Sequence, residues 1–213
     1  MHDVNLEIGR DIFEENRKLA DRNLELLDKH GIKSFDFMGA IGSGKTLLIE
    51  RFIELRNKKV GVITGDVTGD DDFRRIKKLT PHVVNINTGK ECHLDAHLVL
   101  HALEKIKLEE IEYLFIENIG NLVCPADFPL GTHRRVCIVS VTEGDDMIRK
   151  HPLIFQQSDA IVVNKVDLAE YVGVDIDTIK RDASSICPNT AIFFTDAKNG
   201  RGLDEFFRWI EES

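Results

Sequence analysis

Two groups of residues in this 213-residue sequence have the types and spacing for chemistry. The first is Gly39-Ala40-Ile41-Gly42-Ser43-Gly44-Lys45-Thr46, which satisfies the pattern G-x-x-x-x-G-K-S/T in full. Glycines let such a loop curl until several backbone N–H groups face one anion, and the helix that follows adds the partial positive charge of its N-terminus. Lys45 is then placed for the β- and γ-phosphates of a nucleoside triphosphate, and the Thr46 hydroxyl for Mg²⁺. The second group is Cys92-His93, His97 and His101, with Cys124 further along. Thiolates and imidazoles in that combination suit Zn²⁺ or Ni²⁺. Histidines four residues apart share a helix face, and a thiol at a helix start has a lowered pKa. A helix opening near Cys92 is therefore expected to present these ligands together, and a site shared across a two-fold axis would supply the remainder.

Further residues extend the phosphate site. Asn164-Lys165-Val166-Asp167 follows a short apolar run. A carboxylate there accepts two hydrogen bonds from N1–H and N2–H₂ of guanine, a pair that adenine does not offer. Thr195-Asp196-Ala197-Lys198 is a second base-contacting loop, with Asp196, Ala197 and Lys198 as its candidates. GTP and GDP are the nucleotides expected. Asp66 and Glu117 each follow an apolar run, where a carboxylate holds Mg²⁺ through water or orients the attacking water. Glu117-Asn118-Ile119-Gly120 stands where many GTPases carry D-x-x-G, so Gly120 is the expected γ-phosphate sensor. Among Asp70, Asp71 and Asp72, an acidic run in a switch loop, Asp72 is preferred. The expected catalytic set is thus Lys45, Asp66, Asp72 and Glu117, with Thr46, Asp66 and Glu117 around Mg²⁺. No arginine finger is evident, so unaided hydrolysis is expected to be slow. Cys137, between Val136 and Ile138, reads as core packing, and Cys187 before Pro188 carries no signal.

The elements that must position these residues alternate. A helix with apolar residues at Leu6, Ile8, Ile12, Phe13, Leu19, Leu24 and Leu27 precedes the strand 34–38, which runs into the phosphate loop. Strands are predicted at 59–64, 82–86, 111–116, 135–141, 160–163 and 191–195. Helices are predicted at 47–55, 71–79, 92–106, 175–185 and 203–210. Segments 135–141 and 160–163 are near-continuous apolar runs of the kind found in central parallel strands. Strand–helix alternation implies right-handed crossovers and an α/β fold: a mostly parallel central sheet with helices on both faces. Residues 1–30 form an N-terminal helix packed on one domain, 31–213, in which the metal site is embedded.

Composition narrows the rest. With 37 Asp+Glu against 28 Lys+Arg the net charge is −9, which argues against nucleic acid as a partner. No apolar run approaches the ~20 residues of a membrane span, and the charged N-terminal segment lacks a signal-peptide core, so the expected location is the cytoplasm.

These residues resemble a known family, the HypB GTPases that help insert nickel into nickel–iron hydrogenase. The resemblance is carried by the phosphate loop, Asn87–Ala96 (NTGKECHLDA), Phe115–Ala126 (FIENIGNLVCPA), Ser140–Gly144 (SVTEG) and Asn164–Leu168 (NKVDL). It implies a P-loop NTPase fold of the signal-recognition and MinD-like branch. It also implies a metal site at Cys92, His93 and Cys124, with His97 as a further candidate, at a nucleotide-linked homodimer interface. Expected partners are the hydrogenase large subunit and other nickel-delivery maturation proteins. The Cys-x-x-Cys-Gly-Cys motif and histidine-rich stretch of many members do not occur in this sequence, so nickel handling is expected to rest on the GTPase-domain site. Gly69 falls where the family usually has threonine, which removes a switch-threonine role. The alternatives are a urease-type nickel-insertion GTPase, disfavoured because Cys-His and Cys-Pro are separate here, and a regulatory GTP-binding module with structural zinc.

Overall fold

The computed structural model describes the backbone of residues 2–213 and side chains from residue 11 onward. In chain order the elements are α1 His2–Lys29, β1 Lys33–Met38, α2 Lys45–Arg56, β2 Val60–Asp66, α3 Asp71–Ile76, β3 Val83–Asn87, α4 Ala96–Leu103, β4 Tyr113–Glu117, β5 Arg134–Ser140, α5 Met147–Lys150, α6 Pro152–Gln156, β6 Ala160–Asn164, α7 Ile176–Ile186, β7 Ala191–Thr195 and α8 Leu203–Glu212. The strands form one sheet in the order β3-β2-β4-β1-β5-β6-β7, and every pairing is parallel. This is an α/β P-loop fold, with the sheet parallel throughout.

Alternation along each strand divides the core. Phe35, Phe37, Tyr113, Phe115, Val136, Ile138 and Val162 pack on one face with α2, α3 and α8. On the other face Ile63, Leu114 and Ile116 meet α1 and α4, while Met38, Cys137, Val139, Ile161 and Val163 meet α5, α6 and α7. Cys137 is a core residue, and burial pushes its thiol pKa far up. Because all seven strands point the same way, β1, β2, β4 and β6 deliver their carboxyl ends, and the loops that follow, to one edge, where open α/β folds bind ligands.

α1 docks differently from the apolar reading. Its buried stripe is Asn16, Ala20, Asn23 and Leu27, spaced 4, 3 and 4 residues apart, whereas Ile12 and Phe13 are exposed. Leu6 and Ile8 lie outside the described side chains. The two asparagines supply the specificity. Asn16 accepts from Ala96 N (2.9 Å) and donates to Pro129 O (2.9 Å). Asn23 donates to Ala96 O (2.8 Å) and Leu130 O (3.0 Å). Both therefore hold the start of α4 and the loop after Cys124.

Asn23 is fully buried, so truncating it leaves the buried Leu130 carbonyl without this donor and removes the tie to Ala96 O at the start of α4. Asn23→Ala is expected to lower the unfolding free energy by about 2–4 kcal/mol, read by urea denaturation. A loss below roughly 0.5 kcal/mol, the range of ordinary surface changes, would show that these bonds do not hold the helix.

Candidate functional site

The phosphate loop sits between β1 and α2. Gly44 has φ 106°, and a Cβ there would lie 2.2 Å from Asn164 Nδ2, so the position requires glycine. The loop opens on a cleft of about 450 Å³ lined by Ile41, Lys45, Thr46, Asp66, Asp72, Glu117 and Gly120, among others. Lys45 curls back on the loop, its ammonium donating to Gly39 O (3.1 Å) and Ala40 O (3.0 Å). Burial pushes its pKa down, while Glu117 and Asp72 draw it back up.

At the cleft floor the Thr46 hydroxyl lies 2.7 Å from Glu117 Oε1 and 2.9 Å from Asp72 Oδ1. Glu117 ends β4 and is buried, and its Oε2 has no hydrogen-bond partner. Its pKa is raised to about 7, first by desolvation and then by the neighbouring Asp72 charge. Hard oxygen donors converging with an orphaned buried carboxylate oxygen are the donor set that Mg²⁺ takes, so these residues fit that ion. Asp66 lines the same cleft but turns Oδ1 to Val67 N (2.6 Å), and a Cβ on Gly69 would lie 2.3 Å from its Oδ2. Arg75, not foreseen, also lines the cleft, held by Glu50 (2.6 Å) and Asp72 (3.2 Å). In sequence it looks like an ordinary i,i+3 helix partner of Asp72.

The base-side loops converge through Asn164. Its Nδ2 donates to Ser43 O (2.9 Å), and its Oδ1 accepts from Thr195 Oγ1 and Ala197 N, both at 3.1 Å. Lys165, at φ 62°, reaches Gly42 O (2.7 Å). Asp167 and Lys198 are left exposed on this rim, whereas Asp196 is buried and holds Asn199.

The second cluster is smaller than expected. Sγ of Cys92, a ring nitrogen of His93 and Sγ of Cys124 lie within 4.8 Å of one another. Ligands about 2.0–2.3 Å from a shared tetrahedral ion stand about 3.3–3.8 Å apart, so shifts on the order of 1 Å would bring these three atoms onto one ion. The predicted helix start at Cys92 is corrected: α4 begins at Ala96, because Asp95 caps it by accepting from Leu98 N (2.8 Å). Cys92 therefore gains nothing from a helix N-terminus, and with the Cys124 thiol 3.0 Å away its pKa is raised rather than lowered. His93 lies outside the helix against Phe128, with ring centroids 4.0 Å apart, and burial pushes its pKa down, leaving a neutral, ligand-ready imidazole. His97 is not part of this cluster. Its Nε2 meets Nε2 of His101 at 3.1 Å on the exposed face of α4.

Fold and cleft together define a P-loop nucleotide-binding protein of the all-parallel α/β type. Residues 35–194 match the family model described as CobW/HypB/UreG, nucleotide-binding domain. The chain is 54% identical over 210 residues to the probable hydrogenase maturation factor HypB of Methanocaldococcus jannaschii, covering 98% of this chain and 95% of that protein. Among solved structures, hydrogenase maturation factor HypB from Archaeoglobus fulgidus superposes with a TM-score of 0.87 at 48% identity, covering 93% of this chain and 98% of that one. HypB from Helicobacter pylori in complex with nickel superposes with a TM-score of 0.89 at 32% identity, covering 93% and 94%. The chain belongs to the CobW/HypB/UreG family and, within it, to the HypB hydrogenase maturation factors.

The Glu117 carboxyl carries a pH prediction for the protein without nucleotide or metal. Its folded pKa of about 7 lies above the usual 4.5, so ionising it costs the folded state. No penalty exists below pH 4.5; it grows as pH rises and is complete above about pH 7, amounting to about 3 kcal/mol. Between pH 5 and pH 8 the wild type should lose about 2 kcal/mol or more of stability relative to Glu117→Gln in chemical denaturation. Parallel profiles for the two proteins would refute the assignment.

Proposed function

We propose that this chain is a GTP-hydrolysing metallochaperone that assists nickel insertion into nickel–iron hydrogenase. The observation that carries the reading is one short segment serving both sites: Glu117 stands in the phosphate cleft, and Cys124, seven residues on, belongs to the thiol–imidazole cluster. Membership of the HypB family and likeness to a nickel-bound relative support nickel as the cargo.

The phosphate loop, Gly39 to Thr46, receives the triphosphate on its N–H groups and the Lys45 ammonium, which exchanges its carbonyl partners for phosphate oxygens. Thr46, Glu117 and Asp72, with Asp66 beside them in the cleft, would hold Mg²⁺, which when bound would supply charge neutralisation for the phosphates. Asp72 and Glu117 are the carboxylates that orient the attacking water, and Gly120 senses the γ-phosphate. Exposed Asp167 reads guanine, with the Asp196–Lys198 loop packed beside the base. Hydrolysis is slow without a partner because Arg75 is committed to Glu50 and Asp72. Cys92, His93 and Cys124 hold nickel, or zinc at rest; His97, paired with His101, is left out of the set. A second copy of the chain completes the coordination, and nucleotide state governs release to the hydrogenase large subunit or another maturation protein in the cytoplasm. Among the described residues no helix is long and apolar enough to cross a membrane.

Calorimetric titration with GDP and ADP tests the base reading. GDP should bind on the order of 100-fold tighter, and Asp167→Ala should remove most of that advantage, because two charge-assisted hydrogen bonds are lost. The double variant Cys92→Ser/Cys124→Ser should lose tight Ni²⁺ and Zn²⁺ binding while keeping GDP affinity within about twofold. Equal binding of ADP, or metal affinity kept by the double variant, would overturn the corresponding half of the proposal.

A further inference from the structure

Asp36 is a carboxyl buried completely in β1, on the face it shares with Met38, and it belongs to neither site described above. Its two oxygens face different elements. Oδ1 accepts from Asn118 Nδ2 at 3.1 Å. Oδ2 lies 3.7 Å from Arg135 Nε at the start of β5. Each of these neighbours reaches one arm of the metal cluster. Asn118 Oδ1 accepts from Leu94 N (3.1 Å), the residue after His93, and from Ile119 N (3.0 Å). Arg135 donates to Pro125 O and to Ala126 O (3.4 Å), the two residues after Cys124.

Asn118 is also a wall of the nucleotide cleft, between Glu117 and the Gly120 hinge. That hinge is tight: a Cβ on Gly120 would lie 2.8 Å from the Ile41 backbone nitrogen in the phosphate loop. One residue on, Asn121 donates its N–H to Gly39 O (3.0 Å) and its Nδ2 to Cys92 O (3.2 Å). Any movement of 118–121 toward a γ-phosphate must therefore displace the carboxamide that holds Asp36 on one side and Leu94 on the other.

We propose that Asp36 is a positioning residue that passes the nucleotide state to both arms of the metal cluster, through Asn118 to Leu94 and through Arg135 to the Cys124 turn. The inference rests on the reading of the two sites given under Proposed function and names how the metal site is regulated. A switch needs two arrangements, and the open one seen in the structure leaves a closed one within short reach. Asp36 Oδ2 and Arg135 Nε are both buried and without hydrogen-bond partners. A contraction of roughly 0.8 Å would bring them to ordinary hydrogen-bond distance. Open, the guanidinium holds the carbonyls of the Cys124 turn, with Gln157 Oε1 (3.1 Å) and Met38 Sδ (3.1 Å) as its other partners; closed, it is drawn toward β1. A shift of Asn118 alters where Oδ1 is anchored, and so decides which arrangement has its buried groups satisfied.

The test is Ni²⁺ affinity of the full chain, measured by competition with a chromophoric chelator in GDP and in a non-hydrolysable GTP analogue. The wild type should show a ratio between the two states on the order of tenfold. Asp36→Asn keeps the shape and removes the charge facing Arg135; it should bring that ratio to within about twofold of unity, with GDP affinity of the metal-free protein unchanged. Arg135→Gln should do the same, and Arg135→Lys should recover part of the ratio. Arg135 retains some solvent contact, so its variants decide the matter if Asp36→Asn does not fold. A full ratio kept by folded variants overturns the inference and leaves the functional reading standing. Ni²⁺ affinity lost equally in both nucleotide states also overturns it, since that is what a merely structural role predicts. A wild type with no ratio overturns the coupling on which the inference rests.

Discussion

The carboxylate of Glu117, closed off from water at the end of β4, sets the terms for everything around it. Burial makes its charge costly, and the Thr46 hydroxyl satisfies only one of its oxygens. Lys45 is similarly desolvated, with its ammonium spent on loop carbonyls that cannot neutralise it. Without nucleotide, burial thus disfavours a negative charge on Glu117 and a positive one on Lys45, and phosphate with a divalent cation would offset both costs. A parallel sheet is what makes this possible. Thr64 of β2 and Phe37 of β1 flank Glu117 in register, so the carboxylate stands at a strand end that both neighbours enclose.

The same strand end fixes the route that the proposed signal would take. Glu117 is rigid in the sheet, and the chain that leaves it passes Asn118, Gly120 and Asn121 before reaching Cys124. Each of the two asparagines bonds a loop of the metal cluster, and Asn121 also bonds the phosphate loop. A buried amide that must find three partners has few alternative positions, so displacement at one partner is transmitted rather than absorbed. The path is short enough that no domain rotation is required.

What could be read from the sequence follows from the range of each signal. The phosphate loop, the apolar strands and the Asn164–Asp167 motif are local patterns, and the strands predicted from 34 to 195 appear within one or two residues at most ends. The start of α4 was legible in principle, since Asp95 is a good cap, but the Cys-His pair drew the boundary four residues too early. The dipole-lowered thiol expected at Cys92 failed with it. Asn16 and Asn23 read as breaks in an apolar stripe because their partners, Ala96, Pro129 and Leu130, lie 73 to 113 residues away. Arg135 and Asp36 gave no signal for the same reason: a charge in a strand becomes informative only when its cross-sheet neighbours are known. The short helices α5 and α6 were missed because four or five residues carry too little periodicity.

The character of the thiol–imidazole cluster favours the proposed transport role over a purely structural one. A structural zinc site is closed, with four protein ligands fixed by their own secondary structure. Here one chain offers three, on two loops, and Cys92 is exposed while Cys124 and His93 are only half-buried. Both loops also lean on side chains from other elements. The Cys92 loop hangs on side chains of Asn118 and Asn121, and the Cys124 turn on Arg135 and the loop docked by α1. Asn118 also walls the nucleotide cleft, so under the proposed coupling the spacing of the ligands would change when that cleft fills. An exposed open position lets the ion leave when they do. Both properties would be defects in a structural site, and both are requirements for handing a metal on.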